Sequence, residues 1–309
     1  MLDALVRLAH GTSQAGLGQI VPEQGGFFCL ENLVNVEDYL SGVVPLEVGK
    51  GGAEVVEAIK AQAVAARTYT YRKMIDNAAA AFDLNATVAD QMYGGANAES
   101  ALCSKAIRDT RGIVMTSHDS LIYAYYHSTC GGRTANIEDV WSKLPFSYLR
   151  SVNDENGWDG AFCSKSPSFA WEERWPIARL STIVARFSSE TFPQNACSGD
   201  VRGVSIDSRF DCGRVRRCTV HTSKGDFSYG GDKIRFIFRR DLPGFPILKS
   251  SIITDVSLRD GNIVFKGKGY GHGVGLCQTG ALGRARSGQN YLQILKAYYT
   301  GIDIKNVDR

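Results

Sequence analysis

Residues 53–74 read AEVVEAIKAQAVAARTYTYRKM, and this stretch is the clearest helix in the sequence. Its apolar side chains recur at helical spacing, at Val56, Ile59, Ala63 and Ala66. The many alanines favour a helix and allow other elements to approach closely. Lys60 and Arg67 are seven residues apart, so they share one face, where the planar guanidinium of Arg67 can hold a carboxylate or a sugar oxygen.

The segments before this helix are shorter. Residues 1–27 are rich in Gly and Gln and form a poorly defined N-terminal segment. Residues 27–30 (FFCL) indicate a strand, and a short helix is expected to begin near Asn35. We expect Pro45 to end that helix, because proline disfavours a helical residue before it.

The segments after the helix alternate in character. The pattern predicts short elements over 83–126 with a strand at Leu121–Tyr126, a loop over 127–170, and an amphipathic helix at 171–187. From residue 201, apolar and polar residues alternate between turns such as SKGD and RDGN, which predicts β-hairpins. Helices are predicted at 276–287 and 291–299. We therefore expect an α+β domain over 28–309, with a β-rich subregion at about 200–265.

The composition is that of a globular protein. The chain has 309 residues, 44% of them hydrophobic and 22% charged, which argues against long disorder or a collagen-like chain. The formal net charge is only +3 and no Lys/Arg run stands out, so nothing indicates a nucleic-acid partner. No stretch reaches the ~20 apolar residues of a membrane-spanning helix.

The eight cysteines are scattered without a CxxC pair. Cys130, Cys163 and Cys277 lie in segments rich in Gly, Ser or His, whereas the others have apolar or turn-like surroundings typical of buried thiols. Cys212 and Cys218 flank a turn and can pair in an oxidising compartment, although sequence alone does not fix connectivity.

Glu47 lies in GVVPLEVGKGG, residues 42–52, just before the long helix. A carboxylic acid with apolar neighbours can have its pKa raised by desolvation and can then donate a proton. The ordinary alternative is a solvated loop glutamate, or one that favours the positive end of the following helix. Local sequence alone favours the ordinary alternative.

His127 and Cys130 lie three residues apart in YYHSTCGGRT, residues 125–134. The pair is plausible as half of a zinc site, but a tetrahedral site needs three or four N or S ligands. It can also indicate a thiol hydrolase in which His127 activates Cys130. A third possibility is a glycine turn with an incidental thiol.

The segment GKGYGHGVGLCQTGA, residues 267–281, is rich in glycine. It has neither the dinucleotide fingerprint nor a P-loop Lys-Ser/Thr, so a nucleotide cofactor is not indicated. The glycines more plausibly let the backbone pass close to a ligand or another loop. His272 and Gln278 are the polar side chains that this segment presents, and His272 suits a structural or a functional role equally.

Several segments occur together in a recognisable order: EDYLSGVVPLEV, EAIKAQAVAARTYTYRK, HSTCGGRTANIEDVW, YLRSV, FKGKGYGHGVGLCQTGALGRARSG and YLQILKAYYTG. This combination resembles the SpoIID family (stage II sporulation protein D), which is related to the LytB amidase enhancers. The resemblance runs from about Leu33 to the C-terminus. The segments KAQAVAARTY and GHGVGLCQ are highly specific in combination.

The resemblance implies a peptidoglycan lytic transglycosylase that cleaves strands lacking stem peptides. Glu47 then matches the catalytic glutamate and Arg67 an arginine needed for activity. Glu47 would protonate the glycosidic oxygen after N-acetylmuramic acid and then activate the C6 hydroxyl, which attacks C1 and forms a 1,6-anhydro end. No second carboxylate is required, unlike in the hydrolases. Expected substrate contacts are Lys60, Ser128, His272 and Gln278.

The resemblance also implies a metal, a partner and a location. Some members bind zinc, which would be held here by His127, Cys130 and Cys163, with Cys277 or water as the fourth ligand, in a structural rather than a catalytic role. A cell-wall amidase is an expected partner, and a non-catalytic glycan-binding module that recruits an amidase is the alternative function. The protein is expected to be exported to the cell envelope, with any leader or membrane anchor absent from this chain.

Overall fold

The computed structural model describes residues 4–9, 17–22, 28–157, 160–240 and 246–307. The helices are α1 Val36–Glu47, α2 Val56–Asp76, α3 Ala101–Asp109, α4 Ile137–Val140, α5 Ile177–Thr191, α6 Ile234–Ile237, α7 Gln278–Arg286 and α8 Tyr291–Tyr298. The strands are β1 Leu5–Ala9, β2 Leu17–Pro22, β3 Phe28–Asn35, β4 Leu84–Asn85, β5 Ile113–Ser117, β6 Ser120–Leu121, β7 Tyr126–His127, β8 Ala170–Pro176, β9 Val201–Arg209, β10 Val215–Thr222, β11 Gly225–Gly230, β12 Ile253–Arg259, β13 Asn262–Lys268, β14 Leu276–Cys277 and β15 Asp303–Asn306. The predicted α+β class is confirmed.

The chain divides into two compact units. The first comprises Met1–Tyr126 and Ala281–Arg309, and the second comprises His127–Gly280. No helix of the described residues is both long enough and apolar enough to cross a membrane.

Helix α2 is the centre of the first unit. It contacts α1, α3, α8 and β5, and every residue from Ala61 to Tyr71 is buried. A helix enclosed in this way needs small side chains where neighbours approach, which is why its sequence is rich in alanine rather than simply amphipathic. The predicted long helix is confirmed, preceded by a single 3-10 turn at Ala53–Val55.

Two small sheets complete the first unit. One has the strand order β2-β3-β1-β4, and the other has the order β15-β5-β6. Strand β3 leads directly into α1, where the side chain of Asn35 accepts a hydrogen bond from the amide of Glu37 at 2.9 Å. This N-cap confirms the predicted helix start, because it satisfies one of the amides that a helix leaves unpaired.

The second unit consists mainly of two three-stranded sheets and helix α5. The sheets have the orders β11-β10-β9 and β12-β13-β8. The predicted hairpins are confirmed, and β12 turns into β13 through Asp260 and Gly261, both at positive φ. Such Asp-Gly turns match the twist of paired strands. The core of this unit includes Trp171, Trp175, Leu180, Phe187, Val220, Tyr229, Phe238 and Phe265.

Pro45 does not end helix α1, contrary to the prediction. It lies inside the helix, which continues to Glu47. Proline here removes one amide donor and crowds the carbonyl four residues earlier, which costs about 3 kcal/mol or more. The burial of residues Gly42 to Pro45 outweighs that cost. The helix ends where Val48 donates back to the Val44 carbonyl and Gly49 takes a φ of +82°.

The helix predicted at 171–187 begins later, because residues Ala170–Pro176 form strand β8. In this strand Trp171, Glu173 and Trp175 are buried while the residues between them are exposed, which is the two-residue period of a strand. The helix α5 follows from Ile177 onward. The prediction of a helix from residue 171 is wrong because the apolar residues of this segment alternate with a period of two over seven residues.

Two further segments differ from expectation. Strands β1 and β2 lie within residues 1–27, where the sequence shows no defined element. The strand predicted at Leu121–Tyr126 is split, since β6 ends at Leu121 and β7 begins at Tyr126. The short elements expected over 83–126 are otherwise present, and the longest of them is helix α3 with nine residues.

Cys212 and Cys218 do not form a disulfide. All cysteines whose side chains are described are free thiols. Cys218 points into the core of the second unit, whereas the Cys212 thiol lies 3.9 Å from a carboxylate oxygen of Asp139. The two thiols therefore occupy different environments, although they flank the same turn.

Candidate functional site

Glu47 is the last residue of α1 and is half-buried. Its Oε1 accepts a hydrogen bond from the backbone amide of Met92 at 3.0 Å. Residues 85–94, called the 85–94 loop below, carry that amide. The carboxylate is therefore held at one oxygen by a backbone donor and retains contact with solvent, an arrangement that suits a positioned acid or base.

Two buried phenols lie within electrostatic reach of Glu47. The pKa of Tyr39 is well above its usual value, first because of burial and then because of the charges of Asp90 and Glu47. The pKa of Tyr126 is raised in the same direction by burial and then by Glu47. The surroundings of this carboxylate thus include neutral phenols.

Arg67 is fully buried and its guanidinium is occupied by the chain itself. Its Nε and Nη2 donate to the two carboxylate oxygens of Glu37, each at 2.7 Å. Further donations go to the carbonyls of Ile113 and Ile107, each at 3.3 Å. The planar fork does hold a carboxylate, as the sequence suggests, and that carboxylate belongs to the first turn of α1.

Lys60 lies two turns before Arg67 on the same helix and is partly exposed. Its ammonium donates to Glu57 at 2.8 Å and lies 3.9 Å from Asp109. The hydrogen bond with Glu57 is the main reason that the pKa of Lys60 is raised. Glu57 in turn accepts the amide of Tyr291 at the start of α8.

The glycine-rich segment passes close to its neighbours in the second unit. A Cβ atom at Gly269 would lie 2.7 Å from the Thr129 carbonyl oxygen, and one at Gly273 would lie 2.0 Å from the guanidinium of Arg214. Both glycines have positive φ. The expectation that these glycines allow close approach to another loop is confirmed.

His272 projects from this segment. Its Nδ1 accepts the amide of Val274 at 3.1 Å, and its ring packs against Trp141 with the ring centroids 4.9 Å apart. The centroid of the His127 ring lies 5.5 Å from that of the His272 ring. His272 remains partly exposed, so an aromatic and an imidazole ring are presented together at the surface of the second unit.

Ser128 and Gln278 lie beside the same segment. The carbonyl of Ser128 accepts both the amide and the hydroxyl of Thr279, at 3.0 and 2.9 Å. Gln278 begins helix α7 and is buried. The hydroxyl at Thr279 thus ties the start of α7 to the loop at 127–134.

Four buried donors form the candidate metal site: the thiols of Cys130, Cys163 and Cys277 and the carboxylate of Asp154. All four ligand atoms lie within 4.8 Å of one another. The Cys130 thiol lies 3.5 Å from the Cys163 sulfur and 3.3 Å from Asp154 Oδ2. The amide of Cys130 donates to the Cys277 sulfur at 3.1 Å. Three sulfurs and one carboxylate oxygen are ligands that suit a tetrahedral zinc ion.

The pKa values of the three thiols in this group are shifted in different directions. Hydrogen bonds from Cys130 and Cys277, with backbone amides of Gly132 and Gly131, lower the pKa of Cys163 to about 3. Burial raises the pKa of both Cys130 and Cys277 well above the usual value. Cys130 is fully buried, so its sulfur is not presented to a substrate as the nucleophile of a thiol hydrolase would be.

His127 lies outside this four-donor group. Its Nδ1 contacts the carbonyl of Val274 at 3.2 Å, and burial is the first reason that its pKa lies well below the usual value. Its Nε2 is buried without a hydrogen-bond partner among the described residues. The family resemblance implies His127 as a ligand, whereas the buried four-donor group contains Asp154 in its place. An aspartate in the stretch SVNDENG has no local feature that marks it as a ligand.

Comparison with known proteins places the chain in a family. A model described as Stage II sporulation protein (SpoIID) matches residues 26–117, and a second, described as Domain of unknown function (DUF8618), matches residues 156–275. The chain is 30% identical over 291 residues to stage II sporulation protein D of Bacillus amyloliquefaciens, covering 89% of this chain and 75% of that protein. The chain belongs to the SpoIID family.

Two further relatives are similar to this chain over most of its length. An uncharacterized protein of Brachyspira hyodysenteriae is 30% identical over 279 residues, covering 90% of this chain and 68% of that protein. The amidase enhancer of Bacillus subtilis is 32% identical over 290 residues, covering 85% of this chain but only 39% of the enhancer. Within this SpoIID chain, Glu47, Lys60 and Arg67 lie in the segment matched by the family model.

The predicted site residues fall in the two units separately. Glu47, Lys60 and Arg67 belong to the first unit, and the remainder belong to the second. Sequence reasoning did not find Glu37, the 85–94 loop or Asp154. Glu37 had one available signal, since an acidic residue in a first turn after an N-cap asparagine is typical of a stabilised helix start.

Arg67→Met is expected to lower the free energy of unfolding by about 3–5 kcal/mol, because it leaves the Glu37 carboxylate unpaired. Urea denaturation measures this. Lys105→Met is the matched control, since it removes an exposed pair with Asp109 and should change the stability very little. Adding Glu37→Gln to Arg67→Met should restore part of the loss. A cost for Arg67→Met no larger than that of the control would contradict the structural role.

Proposed function

We propose that this SpoIID-family protein is a peptidoglycan lytic transglycosylase that acts on glycan strands lacking stem peptides. The observation that carries the proposal is the half-buried Glu47 carboxylate at the end of α1, held by the Met92 amide within the segment matched by the family model. The names of the relatives, stage II sporulation protein D and amidase enhancer, support a role in remodelling the cell wall.

One carboxyl group is sufficient for this reaction. In its acid form Glu47 donates a proton to the glycosidic oxygen as the bond to C1 of N-acetylmuramic acid breaks. The resulting carboxylate then accepts the proton of the C6 hydroxyl of the same sugar, whose oxygen bonds to C1 and closes the 1,6-anhydro ring. The acid is regenerated, no water is consumed, and a fixed carboxylate geometry serves both proton transfers.

A second candidate function follows from the amidase enhancer relative. In this alternative the chain binds glycan strands and stimulates a cell-wall amidase without cleaving them. The partly exposed Trp141 and His272 rings give the second unit a surface on which a sugar ring can stack. The two functions differ in whether Glu47 matters.

We propose zinc as the metal for the site at Cys130, Asp154, Cys163 and Cys277. The donor set fits zinc, because the group is buried and combines three sulfurs with one hard oxygen ligand. Bound there, zinc would cross-link the loop at 127–170 to strand β14 and supply structural support. The amides that donate to Cys163 and Cys277 stabilise the thiolates that such a site requires.

Glu47→Gln is expected to reduce the release of anhydro-ended products by at least about 100-fold, because the amide can neither donate nor accept the proton. Digestion of amidase-treated strands followed by mass analysis measures the products. Glu54→Gln is the matched control, since Glu54 is an exposed glutamate of the same segment. Undiminished cleavage by Glu47→Gln would disprove the assignment, whereas amidase stimulation without product in both proteins would favour the second function.

The protein isolated with zinc is expected to hold about one equivalent, measured by elemental analysis. Asp154→Asn and Cys163→Ser should each reduce that content below about half an equivalent, because each removes a ligand. His127→Phe and Cys218→Ser should retain the metal, since neither residue belongs to the group. Loss of zinc in His127→Phe with retention in Asp154→Asn would instead support the ligand set expected from the family resemblance.

A further inference from the structure

The 85–94 loop is fastened to helix α2 through Asp90. The Asp90 side chain is only 5% exposed, and its Oδ1 accepts the Tyr69 hydroxyl at 2.8 Å and the Lys73 ammonium at 3.0 Å. Its Oδ2 accepts the backbone amide and the side-chain amide of Asn85, each at 2.9 Å. Burial alone would raise the pKa of Asp90, but these hydrogen bonds outweigh it and lower the pKa.

A second contact with α2 comes from the next residue. The side-chain amide of Gln91 donates to the Thr70 hydroxyl at 3.1 Å, and both residues are fully buried. The Thr70 hydroxyl itself donates to the Ala66 carbonyl at 2.9 Å. Residues 90 and 91 are therefore fixed to the central helix immediately before Met92.

The end of the loop is fastened to α1. The amide of Gly94 donates to the Gly42 carbonyl at 3.1 Å, and the ring of Tyr93 packs on Tyr39 with centroids 5.2 Å apart. A Cβ atom at Gly42 would lie 2.6 Å from the Tyr93 ring, so this approach requires glycine. Met92 thus lies between two fixed attachments.

We propose that the 85–94 loop is a positioning device for the catalytic acid, with Asp90 as its anchoring residue. The loop presents the Met92 amide to Glu47 Oε1 and thereby fixes the direction of the carboxylate. A side chain held by an external backbone donor samples fewer rotamers than a free half-exposed glutamate, and misplacement of about 1 Å can cost about 100-fold in rate. This inference rests on the proposed function, because it assumes that Glu47 performs the proton transfers.

The direct test compares Met92→Pro with Met92→Ala. The Met92 side chain is exposed, and both variants remove it, but only proline also removes the amide hydrogen. On amidase-treated strands, Met92→Pro is expected to have a kcat at least about tenfold below that of Met92→Ala, with KM unchanged. The alkaline limb of the pH profile of Met92→Pro should also move to higher pH, because the ionised carboxylate of Glu47 has lost a stabilising donor.

A second pair of variants leaves the backbone of the 85–94 loop unchanged. Tyr69→Phe removes the hydroxyl that anchors Asp90, and Tyr229→Phe removes a comparable buried hydroxyl in the second unit, where it donates to Asn195. Tyr69→Phe is expected to lower kcat several-fold with unchanged KM. Tyr229→Phe, with a similar loss of thermal stability, should leave kcat unchanged.

The outcomes separate this inference from the proposed function. If Glu47→Gln abolishes cleavage while Met92→Pro matches Met92→Ala in kcat and pH profile, the positioning role of the loop is wrong. The assignment of Glu47 as the acid is then retained. Equal effects of Tyr69→Phe and Tyr229→Phe on kcat would also overturn it. If Glu47→Gln cleaves as well as the unaltered protein, the proposed function itself fails.

Discussion

The buried ion pair between Arg67 and Glu37 is the interaction on which the arrangement of the first unit depends. It joins the middle of the central helix α2 to the first turn of α1 through the Nε and Nη2 donors of the guanidinium. Burying an arginine is costly unless every donor finds an acceptor, and here Glu37 and two backbone carbonyls supply them. The position of α1 follows from this pair.

Helix α1 is fixed at both ends, and that determines where its terminal carboxylate lies. The helix rises about 15 Å from the Glu37 pair in its first turn to Glu47 at its last position. The 85–94 loop completes the arrangement at the far end through the Met92 amide. An arginine that the family resemblance associates with activity can therefore act without touching substrate, by holding the helix that carries the acid.

The sequence predicted some of these features because their signals are local. The helix at 56–76 follows from its spacing and alanine content, and the β12–β13 hairpin follows from alternation around an Asp-Gly turn. Pro45 was misjudged because tertiary burial outweighs the local preference of proline. Asp154 and Asp90 were missed for a related reason, since their partners are distant in the chain or are backbone groups that carry no sequence signal.

In the proposed reaction, Glu47 directs an intramolecular attack of the C6 hydroxyl on C1, and water does not attack C1. Cleavage of amidase-treated strands in water enriched in oxygen-18 tests this most directly, with mass spectrometry of the newly formed ends. An intramolecular attack predicts new muramyl ends that carry no label and are lighter by one water than hydrolysis products. Label from the solvent at C1 of those ends would contradict it and identify a hydrolase.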